Sequence, residues 1–152
     1  MTRSLSATVA IVVWAVVACQ SAGGAAVDQP TFAPELGVEL ATMTTAGGLR
    51  YRDIVVGTGA EAKPGNVVAV YYSGWLPSGA PFDSTRPPEA PIRFTLGEGR
   101  VIRGWERGVT GMRVGGRRQL VIPPSLGYGN RAVGSVPARS TLVFTIDLVD
   151  VR

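Results

Sequence analysis

The chain has 152 residues, 45% of them hydrophobic and 17% charged, which suffices for one ordinary globular domain and is unlike a disordered polypeptide. Its net charge of +4 rests on arginines scattered along the sequence, with only Arg117 and Arg118 adjacent, so no basic run marks a nucleic-acid site. It contains no histidine and a single cysteine, Cys19, which excludes a His-based triad, a Cys/His nucleophile pair, a structural zinc site and an internal disulfide.

Arg3 precedes an uncharged run from Leu5 to Ala18, and small polar residues follow at once, which is the layout of a signal peptide. The run is shorter than the roughly 20 apolar residues that cross a bilayer as a helix, so cleavage is expected rather than a permanent span. Val16-Val17-Ala18-Cys19 resembles the bacterial lipoprotein box, with an aliphatic residue three before the cysteine and a small one just before it. The resemblance implies that residues 1–18 are removed and that Cys19 is lipidated, with palmitate-type chains. The mature protein is then a membrane-anchored lipoprotein facing outside the cytoplasm. The alternative is a secreted protein whose ordinary signal is cut near Ala22 to Ala26. A lone thiol in an otherwise Cys-free exported chain favours the lipoprotein. Residues 19–47 show no periodicity and contain Gly23-Gly24, Pro30 and Pro34, so a flexible tether is expected, its end nearest Leu49 pairing as an edge strand.

From residue 48 to 152 the pattern becomes short alternating runs broken by turn residues. Strands are expected over Leu49 to Val56, Val67 to Tyr72 (ended by Gly74), Ile92 to Leu96, Arg117 to Ile122 and Thr141 to Val149. Lys63-Pro64-Gly65-Asn66 reads as a turn. In the last strand Leu142, Phe144, Ile146 and Leu148 share one face, while Thr141, Thr145 and Asp147 share the other. One helix is predicted at Arg103 to Thr110, where Ile102, Trp105, Val109 and Met112 recur at helical steps. A short helix lying across a mostly antiparallel sheet is an α+β arrangement. Pro123 to Ser140 is an aperiodic loop of 18 residues, long enough to suggest function, and Tyr128 sits in it between two glycines.

Three separated segments now line up: Val70-Tyr71-Tyr72-Ser73-Gly74 with Phe82-Asp83-Ser84-Thr85, then Val101-Ile102-Arg103-Gly104-Trp105-Glu106, then Gly127-Tyr128-Gly129 with Thr141-Leu142-Val143-Phe144. In order and spacing they resemble the FKBP-type peptidyl-prolyl cis/trans isomerases, over about Leu49 to Val151. The resemblance implies a twisted antiparallel sheet wrapped around one short helix, with an apolar cleft between them. Its floor would be Trp105, its walls Tyr72, Phe82, Val101, Ile102 and Phe144, its loop rim Tyr128 and Val136, with Ile92 and Phe94 also at the substrate. Asp83 would accept a hydrogen bond in the cleft, the Ile102 N–H would bind a substrate carbonyl, and the Tyr128 hydroxyl would donate to another.

The implied partners are proline-containing, unfolded or partly folded polypeptides and macrolides of the rapamycin type, and the implied state is a monomer; no cofactor, metal or nucleic acid is expected. The chain departs from many members at Ile92, where an aromatic residue is common, and at Pro88, where a basic residue can pair with the aspartate. Arg86 is the candidate substitute, and the loop before Phe144 is slightly shorter and lacks a histidine. A binding or chaperone module with little isomerase activity is therefore the competing expectation. The reaction itself fits the inventory, because rotating an X-Pro amide across its barrier of about 18–20 kcal/mol requires loss of resonance and no nucleophile.

Overall fold

The computed structural model describes residues 30–152 and is built around a nine-residue strand, β3 (Val67–Trp75), whose β-branched and aromatic run favours extended backbone. In chain order the strands are β1 (Thr44–Ala46), β2 (Leu49–Val55), β3, β4 (Pro81–Thr85), β5 (Ile92–Thr95), β6 (Arg117–Ile122) and β7 (Leu142–Val151); the helix α1 (Arg103–Val109) falls between β5 and β6. They form one seven-stranded antiparallel sheet in the order β1-β2-β6-β7-β3-β4, and β5 also pairs with β3. The fold is the expected α+β arrangement of a sheet and one short helix. Val67 to Val70 pair with β5 and Tyr72 to Trp75 with β4, so a single long strand aligns two short ones end to end along one edge.

Alternation along β6 and β7 separates two apolar layers. On the helix side Leu120, Ile122, Leu142, Phe144, Ile146 and Leu148 join Trp105 and Val109 in the main core. Two helical glycines four residues apart allow this close approach. A Cβ at Gly104 would lie 2.5 Å from Ile122 Cγ2, and one at Gly108 would lie 2.5 Å from Leu120 Cδ1. Arg118, on the same face and buried, donates to the Gly108 carbonyl at the helix end (3.0 Å). It also pairs through Nε and Nη2 with Asp53, its neighbour across β2 (2.6 and 3.0 Å), and its guanidinium lies 4.6 Å above the Tyr51 ring.

The opposite face carries Val121 and Val143, and here the structure differs from the expected tether. Phe32, Leu36, Val38, Leu40 and Met43 pack over these two valines. Two 3₁₀ turns, Pro34–Leu36 and Leu40–Thr42, shape the segment, and the Gln119 side chain fixes it by donating to the Leu36 carbonyl at 2.7 Å. Residues 30–43 are therefore a strap laid on the domain, because their five spaced apolar side chains find a hydrophobic face. The anticipated edge strand is β1, paired with the start of β2. The signal segment, Cys19 and the remainder of the tether lie outside the described residues.

Two further differences concern strand limits. β3 passes through Gly74 to Trp75 instead of ending there, because the glycine lies beneath the Phe144 and Phe82 rings, where a Cβ would come within 2.7 and 2.8 Å of them. β4 had no alternation to reveal it: Trp75 faces Pro81 while Gly74 faces Asp83, so one extra residue bulges on β4.

Candidate functional site

The β4 bulge creates half of the site. Strict alternation would send Phe82 and Asp83 to opposite faces, yet both reach the helix side. Phe82 meets Phe144 edge-on at 5.4 Å, and Asp83 Oδ2 accepts a hydrogen bond from the Tyr72 hydroxyl at 2.6 Å. Across the strands, Asp83, Gly74 and Phe144 occupy successive register positions on β4, β3 and β7, and the glycine leaves room for the rings beside it.

Trp105, on the first turn of α1, lies at the centre of an aromatic cluster. Its ring stands edge-on to Tyr72 at 4.9 Å and to Phe144 at 5.3 Å, and Phe94 packs against it at 5.9 Å. The indole N–H is buried and makes no hydrogen bond, a state that costs about 1–3 kcal/mol where no acceptor is supplied. Above the cluster the rings do not close on one another. A cleft of about 390 Å³ remains, lined by Tyr72, Asp83, Ile92, Arg100, Val101, Ile102, Trp105, Tyr128 and Phe144. That volume lies within the usual range of small-ligand sites and can admit one prolyl ring with its flanking peptide groups.

Eight of the anticipated residues thus meet at one opening, and three stand elsewhere. Phe94 is buried beneath Trp105 rather than exposed to the cleft, Phe82 buttresses Phe144 from the side, and Val136 lies in the main core instead of on the rim. Val136 turns inward because it closes a small bridge with Val133 inside the long loop, whose other local order is a 3₁₀ turn at Pro124–Leu126. Arg86 does not substitute as a cation for Asp83; its Nε donates to Ser73 Oγ at 2.8 Å. Arg100, not among the anticipated site residues, lines the cleft and pairs with Glu98 at 3.0 Å. No spacing signal could have placed it there, since the loop before α1 has no periodicity.

The polar groups of the cleft are donors and acceptors in fixed states. Burial first, and then the hydrogen bond to Asp83, push the Tyr72 phenol from 10.0 up to about 12. Burial and the charge of Asp83 also raise Tyr128. Both hydroxyls are therefore neutral at any physiological pH and able to donate. The N–H of Ile102, the residue preceding α1, has no partner among the described residues, while its carbonyl receives the N–H groups of Trp105 (2.9 Å) and Glu106 (3.2 Å). Among the described residues no cluster of His, Cys, Asp or Glu is arranged to hold a metal ion.

Residues 59–149 match the family of FKBP-type peptidyl-prolyl cis-trans isomerases. An FK506-binding protein of Neisseria meningitidis serogroup B is 44% identical over 106 residues, which make up 69% of this chain and 97% of that one. Among solved structures, AtFKBP13 superposes with a TM-score of 0.67 at 36% identity, covering 71% of this chain and 97% of its own. FkpA from Escherichia coli gives 0.66 at 39% identity, covering 72% of this chain and 51% of its own. The chain belongs to the FKBP-type peptidyl-prolyl cis-trans isomerase family and has its fold.

Proposed function

We propose that this protein accelerates X-Pro isomerisation during the folding of exported polypeptides, and that the Trp105 cleft is where it does so. The observation that carries the reading is an open, aromatic-floored cleft in which the unpartnered Ile102 N–H and the Tyr72–Asp83 pair are the fixed polar features. A planar prolyl amide is charge-separated by resonance and is favoured by water; the twisted amide has lost that resonance. A dry pocket of Tyr72, Trp105 and Phe144 therefore disfavours the ground state more than the midpoint of rotation. In this reading Ile102 N–H and the Tyr128 hydroxyl hold substrate carbonyls, Val101 and Ile92 flank the prolyl ring, and Asp83, held by the Tyr72 hydroxyl, faces the amide as it twists. No bond is made or broken. Each 1.36 kcal/mol removed from the barrier gives about tenfold, so a reduction of about 4–5 kcal/mol yields three to four orders of magnitude.

The relatives' FK506-binding names support a second property of the cleft, uptake of macrolides of the FK506 and rapamycin type. The arrangement Val16-Val17-Ala18-Cys19 supports export as a lipoprotein with an acylated Cys19, acting outside the cytoplasm. Intact-mass analysis of the mature protein tests this: a retained segment 1–18 or an unmodified Cys19 refutes it.

The decisive measurement for activity is an isomerisation assay on a proline tetrapeptide with the full chain. We expect strong acceleration, competition by rapamycin, and a loss of at least tenfold in Trp105→Ala. Absence of acceleration at micromolar protein would leave the binding or chaperone reading in its place.

A further inference from the structure

We infer that Glu106 is a positioning residue for the cleft: its carboxylate fastens the loop from Leu96 to Ile102 and so sets the place of Val101, Ile102 and Arg100. This rests on the cleft being the isomerase site. Glu106 Oε2 accepts the N–H of Gly97, and Oε1 accepts the N–H of Gly99 at 3.0 Å. Both glycines have positive φ, +91° and +70°, which curls the backbone so that these two N–H groups, one residue apart, converge on one anion. The loop has formed an anion nest, and the chain's own carboxylate fills it.

Among the described residues, no other hydrogen bond ties residues 97–100 to the rest of the domain. Leu96 is buried and bonds through its N–H to Asn66, but residues 97–100 are exposed and contribute no side chain to the core. Beyond them the loop turns directly into the cleft wall at Val101 and Ile102. Glu106 grips both ends of this turn, the start through its carboxylate and the finish through its own N–H on the Ile102 carbonyl (3.2 Å). It also follows Trp105, so the cleft floor and the loop that forms the wall share one helical turn. The loop's own carboxylate, Glu98, pairs with Arg100 at 3.0 Å and so does not fill the nest.

The test compares Glu106→Gln, Glu106→Ala and, as a change of the same charge on the strap at the opposite face, Glu39→Gln, all in the full chain at a temperature where near-UV circular dichroism shows each folded. Two readouts are needed: kcat and KM for a proline tetrapeptide by NMR exchange, and hydrogen exchange of the Gly97 and Gly99 amides. We expect Glu106→Ala to lose about tenfold in kcat/KM with faster exchange at both glycines, Glu106→Gln to recover part of each, and Glu39→Gln to stay within about twofold. Should Glu106→Ala fail to fold, Glu106→Gln carries the comparison. Unchanged kcat/KM with an active wild type, or unchanged glycine exchange, overturns the positioning role while leaving the isomerase reading intact. An inactive wild type whose glycine amides respond to Glu106→Gln overturns the isomerase reading and retains the loop fastening.

Discussion

Tyr72 joins stability to chemistry in one side chain. Its ring is part of the aromatic floor, and its hydroxyl is the donor that holds Asp83 at 2.6 Å. Because burial and the carboxylate raise its folded pKa from 10.0 to about 12, the folded state keeps the phenolic proton more tightly than the unfolded chain does. The stability from this group is therefore complete below pH about 10 and is lost as pH rises through about 12. Spectrophotometric titration of the tyrosines is expected to show one late ionisation that disappears in Tyr72→Phe. That variant should also lose less stability than wild type across the same alkaline window. At neutral pH it removes one hydrogen bond worth about 1 kcal/mol, so kcat/KM is expected to fall about fivefold if Asp83 is oriented by it. A wild-type activity that changes sharply between pH 6 and 9 would contradict cleft hydroxyls that stay neutral there.

At the scale of elements, the seven residues of α1 are too few to be stable alone, and the helix persists because it lies close against β6. The closeness is set by Gly104 and Gly108. An added methyl at either would lie 2.5 Å from Ile122 or Leu120, atoms packed in the core. Overpacking of this kind costs about 1–3 kcal/mol, and the better helix propensity of alanine offsets up to about 1 kcal/mol of it. Gly104→Ala and Gly108→Ala are thus each expected to destabilise by about 1–2 kcal/mol in urea unfolding, whereas Arg103→Ala, at an exposed position, should stay within about 0.5 kcal/mol. Gly104 adjoins Trp105, so its alanine variant should also weaken macrolide binding more than Gly108→Ala does. Equal and negligible effects at both glycines would mean that the helix has room to retreat from the sheet.

For the molecule as a whole, the sequence was legible where burial is one-sided and regular. β7 declared its inner face through Leu142, Phe144, Ile146 and Leu148, and α1 through Trp105 and Val109, since period and burial coincide there. β4 stayed hidden because its bulge breaks the alternation. The strap over 30–43 resembled a tether because its apolar residues fall at steps of four, two, two and three, so no single period runs through them, and Pro34 and Gly37 interrupt the segment. Val143 and Val121 gave the hints, apolar residues on faces whose neighbours Thr145, Asp147, Arg117 and Gln119 are polar. The distinction matters for where the domain begins. Without the strap, Val121 and Val143 are uncovered, and the buried Gln119 amide loses its bond to Leu36. That hydrogen bond contributes about 1 kcal/mol, and the apolar contact of the strap's five side chains with the two valines adds about 2–3 kcal/mol. A chain starting at residue 48 is therefore expected to melt about 10 °C or more below one starting at residue 30, by calorimetry at equal concentration. Its Trp105 cleft should remain, since the strap touches the opposite face. If the two forms melted together, the strap would be an ornament on the sheet rather than part of the domain's second core.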